Sequence, residues 1–270
     1  MQERLIRMLE AIASSGEPVS VADIASMTGV PRASVYRNIA SLLECGFIDE
    51  AEGGSGYVLG LRFVRIALTG KADSHVISAA GPMLKSAVKA LGETAFLARY
   101  RGGRVDLIHV EIPSDPTVSY IYPGLGPRPA HACSSAKAIA AFIRPDMRDD
   151  LLETNPIRYN AATIVEPEKI TRELNQVRRY GYAICDGEID EGVTSIAVPI
   201  NVDRLGAIFS MGVVGPSHRI KPVVQNRILP VLTDEAVRVA AAIQHCSIVE
   251  AESVNTQMMT EMRENTDTTH

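Results

Sequence analysis

The chain has 270 residues, enough for one large domain or two ordinary ones, and its 46% hydrophobic content can furnish a core for each. No run of about 18 uncharged apolar residues occurs, and the start of the chain lacks a basic run followed by an apolar block, which argues against a membrane span or a secretory leader and for a cytoplasmic protein. A formal net charge of -5 excludes a uniformly basic nucleic-acid binder, and the first 75 residues hold nine acidic against seven basic side chains, so any grip on phosphate has to come from local geometry.

From Arg4 to Ala13 the apolar residues Leu5, Met8, Leu9 and Ile12 form one stripe of an amphipathic helix that ends near Ser15 and Gly16. Ser20 followed by Asp23 is a variant capping box for a short second helix closed by Thr28 and Gly29, and Pro31 suits the first position of a third. In that third helix Val35, Ile39, Leu42 and Leu43 make the buried stripe, leaving Ala33, Arg37, Ala40 and Ser41 opposite. Small residues around one guanidinium let a backbone approach base edges in a DNA groove, and Arg32 and Ser34 stand where helix amides attract phosphate; Tyr36 belongs to the same candidate surface. Phe47 to Glu50 and Tyr57 to Leu59, joined through Gly53, Gly54 and Gly56, read as a hairpin. Three helices and a hairpin in this order make a winged helix-turn-helix over residues 1–60 that binds DNA.

A linker helix is expected over 61–77, its apolar Leu61, Val64 and Leu68 needing a partner surface in the next domain or a second subunit. Residues 78–246 then alternate patterns. A helix from Pro82 to Leu91 precedes strands Thr94–Tyr100 and Val105–Ile112 around Gly102 and Gly103, with a third strand expected over Thr117–Tyr122. Helices are expected at Ser135–Ile143 and Pro167–Tyr180, strands at Tyr182–Cys185, Thr194–Asn201 and Leu205–Val214, and a long helix at Val223–Ile243. The class is α+β, an antiparallel sheet with flanking helices. Residues 247–270, with five acidic residues against Arg263, read as a flexible acidic tail. Cys45, Cys133, Cys185 and Cys246 lie far apart with no metal-ligand spacing, so reduced thiols, no metal and no cofactor are expected.

Residues 129–138 (PAHACSSAKA) and 179–188 (RYGYAICDGE), continued by Gly192, residues 196–200 (IAVPI), Gly206, Gly215 and Pro216, resemble the effector-domain signature of the isocitrate lyase regulator (IclR) family. Residues 28–37 (TGVPRASVYR) and 57–61 (YVLGL) are similar to that family's reading head and wing exit. The resemblance implies a bacterial transcriptional regulator, a repressor or activator of a catabolic operon. It also implies a GAF-like sensor domain and a homodimer, or a dimer of dimers, on a double-stranded operator. Independently of the family, Ser134, Ser135 and Ala136 fall at a helix start whose amides can cradle a carboxylate. The resemblance adds Asp186, Ser195 and Gly212 as further effector contacts. Ala136 stands where the family usually has glycine, and Gly212 and Val214 stand where relatives that bind polar acids carry hydroxyls. An organic acid with an apolar or aromatic body is therefore expected.

Two rival classes are separable from this reading. His131 and Cys133 could form a nucleophilic pair, but no third orienting group is evident, so an enzyme is not expected. A sensor that works through protein partners, using its helix-turn-helix only to dimerise, would fail to shift DNA.

Overall fold

The computed structural model describes residues 2–244 apart from 116, 118, 153–155 and 203–205. The expected acidic tail and Cys246 lie outside the described residues. The chain divides into two compact units, one running through Lys71 and the other starting at Ala72.

In the first unit α1 (Gln2–Ser15), α2 (Val21–Thr28) and α3 (Arg32–Glu44) are followed by the hairpin β1 (Ile48–Glu50) and β2 (Tyr57–Leu59) and by α4 (Leu61–Gly70). Met8, Ile12, Ile24, Val35, Ile39, Leu42 and Ile48 close one apolar core, so each helix contributes the stripe its periodicity marks. Ser20 caps α2 by accepting the Asp23 N–H at 3.2 Å, and Gly29 ends it in the left-handed region at φ 67°. Val19 pairs with Tyr57, which fastens the wing to the connection between α1 and α2. Gly56 makes that approach possible, because a Cβ there would stand 2.8 Å from the Val19 carbonyl.

The second unit opens with α5 (Asp73–Leu91) and contains β3 (Thr94–Arg101), β4 (Arg104–Glu111), β5 (Gly126–Arg128), α6 (Ser134–Phe142), α7 (Pro145–Leu151), α8 (Pro167–Tyr180), β6 (Ala183–Asp186), β7 (Val193–Val202), β8 (Gly206–Pro216) and α9 (Ser217–Ile220). A 3-10 turn and a π turn over Lys221–Ile228 lead into α10, residues 229–244. The strands form one antiparallel sheet in the order β5-β4-β3-β8-β7-β6. Residues paired across neighbouring strands share a face. One face carries Thr94, Phe96, Ser195, Ala197, Ser210 and Gly212 and is covered by α6; the other carries Arg99, which reaches Asp73 of α5 at 2.5 Å.

Three elements differ from expectation. The linker expected over 61–77 is two helices: Gly70 is a poor helix former, and Lys71 turns extended, at ψ 138°, before Asp73 restarts the chain. Pro82 does not begin a helix but sits inside α5 at an exposed position, one turn beyond the exposed Ser78, whose carbonyl loses its helical N–H partner there. The strand expected over 117–122 is absent among its described residues. Pro113 and Pro123 bracket the stretch, and the chain instead joins the sheet at Gly126–Arg128, where Arg128 ties back to the Pro123 and Gly124 carbonyls at 2.7 and 2.8 Å.

Candidate functional site

The outward face of α3 holds Arg32, Ala33, Tyr36, Arg37, Ala40 and Ser41, all exposed, with Ser34 half-buried. Tyr36 is 62% exposed and stands as an aromatic post beside Arg37, whose guanidinium comes within 3.5 Å of Ser34 Oγ. The first bonds of α3 run from the Ser34 and Val35 N–H groups to the Pro31 carbonyl, so the Arg32 and Ala33 amides lie ahead of the helical ladder. No side chain caps this end and its first turn holds no acid, so the helix dipole meets Arg32 without local compensation. Glu50 and Glu52 are exposed on the wing and give it no basic character.

In the second unit the start of α6 lies against the sheet. Ser134 and Ser195 hydroxyls are 2.6 Å apart, Ser210 Oγ donates to the Ser135 carbonyl at 2.9 Å, and Ser135 Oγ is 3.2 Å from Cys133 Sγ. No side chain caps α6, whose ladder begins with Lys137 N–H bonded to the Cys133 carbonyl. Ser134, Ser135, Ala136, Ser195 and Gly212 therefore gather on one side of the sheet. Gly212 is not an open wall. A Cβ there would collide with the Ile196 carbonyl oxygen and stand 2.5 Å from Phe96 Cζ, so the β7 backbone and the Phe96 ring fill that space.

Asp186 departs from the expected set. It pairs with Thr194, one residue out of phase with Ser195, and so points to the opposite face. There its carboxylate accepts from Thr194 at 2.8 Å and from Lys221 at 2.6 Å, contacts that hold it below the ordinary carboxylate range. The two-residue alternation of the strand was readable, but the end of β6 was not, and one residue decides the face.

Under α6 the Lys137 ammonium, 1% exposed, meets Glu188 at 2.6 Å and Glu173 at 2.7 Å and also donates to the Ile184 carbonyl. Desolvation opposes its charge, yet the two carboxylates raise its pKa. Glu188 is nonetheless pushed up to about 7, first by burial and further by repulsion from Glu173. Glu188 is thus a buttress for the Lys137 ammonium; Glu173 carries no separate signal beyond its helical spacing. Burial and the neighbouring Cys133 push the Cys185 thiol up to about 12, which keeps it protonated. His131 is buried, its Nε2 meeting the Ile157 carbonyl at 2.9 Å and its ring stacked on Tyr159.

A three-helix reading head with a wing, followed by a helix-flanked antiparallel sheet, defines a DNA-binding regulator with a separate sensing domain. Comparison with known proteins makes this specific. The bacterial transcriptional regulator IclR C-terminal family model matches residues 71–241 and the IclR helix-turn-helix domain matches residues 3–51, so the chain belongs to the IclR family of transcriptional regulators. It is 26% identical to the glycerol operon regulatory protein of Streptomyces griseus over 82% of this chain and 86% of that one. It is also 26% identical to the HTH-type transcriptional repressor AllR of Escherichia coli over 81% and 80%. In fold it is similar to an IclR-type regulator from a Silicibacter species (TM-score 0.59, 24% identity, 90% and 95% coverage). It is similar as well to an IclR homologue from Microbacterium hydrocarbonoxydans complexed with 4-hydroxybenzoate (TM-score 0.54, 24% identity, 90% and 99% coverage). The family's members are regulators, not enzymes. Among the described residues no helix is long and apolar enough to cross a membrane.

Proposed function

We propose that the chain binds an operator through α3 and reports on a small organic acid held at the start of α6, in the service of a catabolic operon. The exposed face of α3 carries the first half of this reading. Arg32 and the uncapped amides fit a phosphate, and Arg37 and Ser41, with Ala33 giving close approach and Tyr36 flanking, fit base edges in the major groove. Two copies with their α3 helices one duplex turn apart suit a palindromic site. A mobility-shift assay on the upstream region of its own gene tests this. Arg37→Ala is expected to weaken specific binding by about 1 to 3 kcal/mol and to relax preference at one base position. An unchanged shift, or none even at low salt, would favour a sensor that acts through protein partners.

For the acid, the support is the convergence of Ser134, Ser135 and Ser195 with the start of α6 on a face that also carries Phe96, Ala197 and Gly212. An entering carboxylate exchanges the bond between Ser134 and Ser195 for charge-assisted bonds from both hydroxyls and the amides of residues 134–136. Phe96 and Gly212 supply an apolar wall, which suits an aromatic or branched body, and the homologue holding 4-hydroxybenzoate is consistent with it. Calorimetry that gave tight binding of a fully polar two- or three-carbon acid and none of aromatic acids would overturn this half.

A further inference from the structure

Every hydroxyl described so far on the α6 face of the sheet has a partner: Ser195 meets Ser134, and Ser210 meets the Ser135 carbonyl. Thr94 does not. It is fully buried at the start of β3, and its Oγ1 has no hydrogen-bond partner among the described residues. A valine has the same shape without the penalty of a stranded hydroxyl, so packing alone gives no reason for threonine here. Strand register places the orphan. Thr94 and Ser195 both pair with Val214, one from each side, so the three lie in a single row across β3, β8 and β7 and point toward α6. Two strand spacings separate Thr94 from Ser195, about 10 Å. A six-membered ring with polar groups at opposite ends covers that span with one hydrogen bond at each end. Phe96 follows two residues along β3 on the same face, with its ring leaning over Gly212 beside Val214, so the ground between the two hydroxyls is apolar.

We propose that Thr94 is a specificity-determining residue of the effector site. Its hydroxyl receives the polar group at the far end of an acid whose carboxylate is held at Ser134 and Ser195, so the protein selects acids that carry a hydroxyl or carbonyl opposite the carboxylate. The inference rests on the effector reading above and adds the second anchor, which fixes the length of the ligand. The threonine is kept at a cost to the empty state because it is satisfied only in the occupied one.

Titration calorimetry on the full chain with benzoate and with 4-hydroxybenzoate tests it. Wild type is expected to bind the hydroxylated acid at least about tenfold more tightly. Thr94→Val should bring the two affinities together while the melting temperature without ligand stays level or rises, since an orphaned hydroxyl has been replaced by a methyl group. Thr94→Ser should keep the preference, which separates a lost hydrogen bond from a disturbed fold. Should wild type bind both acids alike, or should Thr94→Val keep the wild-type preference, the role of Thr94 falls and the effector reading stands. Absence of binding by either acid to wild type overturns both.

Discussion

Burying the Lys137 ammonium under α6 takes two carboxylates, and the uneven count gives that cluster a pH dependence. Glu188 has an ordinary value near 4.5 when unfolded and about 7 when folded, because burial and Glu173 outweigh its bond to Lys137. The folded chain therefore holds this proton more tightly than the unfolded one, and the contribution is full below pH 4.5 and lost as pH rises toward 7. Urea midpoints measured from pH 5.5 to 8 should show wild type gaining on Glu188→Gln as pH falls, with the difference between them levelling off above pH 7. A gap independent of pH would mean that Glu188 is ionised throughout. Lys137→Met leaves both carboxylates without their cation and should cost about 3–5 kcal/mol at neutral pH. At this scale the sequence was partly legible. The serines at the start of α6 are marked in the sequence because helix starts attract anions; the bond between Ser134 and Ser195 is visible only in the fold. Thr94 carried no motif; only strand phase, together with knowledge of which hydroxyls find partners, exposes it.

Elements with strong periodicity and clear ends were readable to within a residue or so. Pro167 and Gly181 bracket α8, and Ser20 and Gly29 bracket α2, where the expected and observed limits agree closely. Elements whose ends depend on tertiary support were not. The proline at position 82 looked like a helix start because prolines favour first turns, but α5 buries Val76, Ala80, Met83, Leu84 and Ala87 along one stripe, and that burial carries the helix through it. Replacing this exposed proline restores an N–H to the Ser78 carbonyl. Pro82→Ala is expected to stabilise the second unit by about 2 kcal/mol, the helix-interior penalty less the entropy that proline removes from the unfolded chain. A calorimetric scan that showed lower stability would mean that the proline sets a bend on which packing depends. In the reading head the sensitive position is the cap: Ser20→Ala removes the acceptor for the Asp23 N–H and should cost about 1 kcal/mol.

Taken whole, the molecule approaches an anionic duplex with a net charge of -5, and this limits how it can bind. A regulator that relied on a broad basic surface would lose affinity steeply with salt, because each neutralised phosphate releases counterions and contributes about −0.9 to the slope of log K against log salt. Here the exposed face of α3 offers Arg32 and Arg37, while Glu50 and Glu52 stand exposed on the wing. One phosphate contact per bound copy, from Arg32, would give a slope of about −0.9 for each copy. Operator titrations between low and physiological salt are therefore expected to show a shallow dependence, with Arg32→Ala reducing it by nearly one per copy and Arg37→Ala mainly reducing discrimination between operator and random duplex. A slope several times steeper would show that cations outside α3 dominate the hold on the backbone, and would move the reading of phosphate contacts away from this helix. Affinity in the shallow case comes from shape and base contacts, so it depends on how closely α3 enters the groove. Ala33 and Ala40 bear directly on that: enlarging either to leucine should hold the helix off the bases and erase discrimination while leaving the salt slope nearly unchanged.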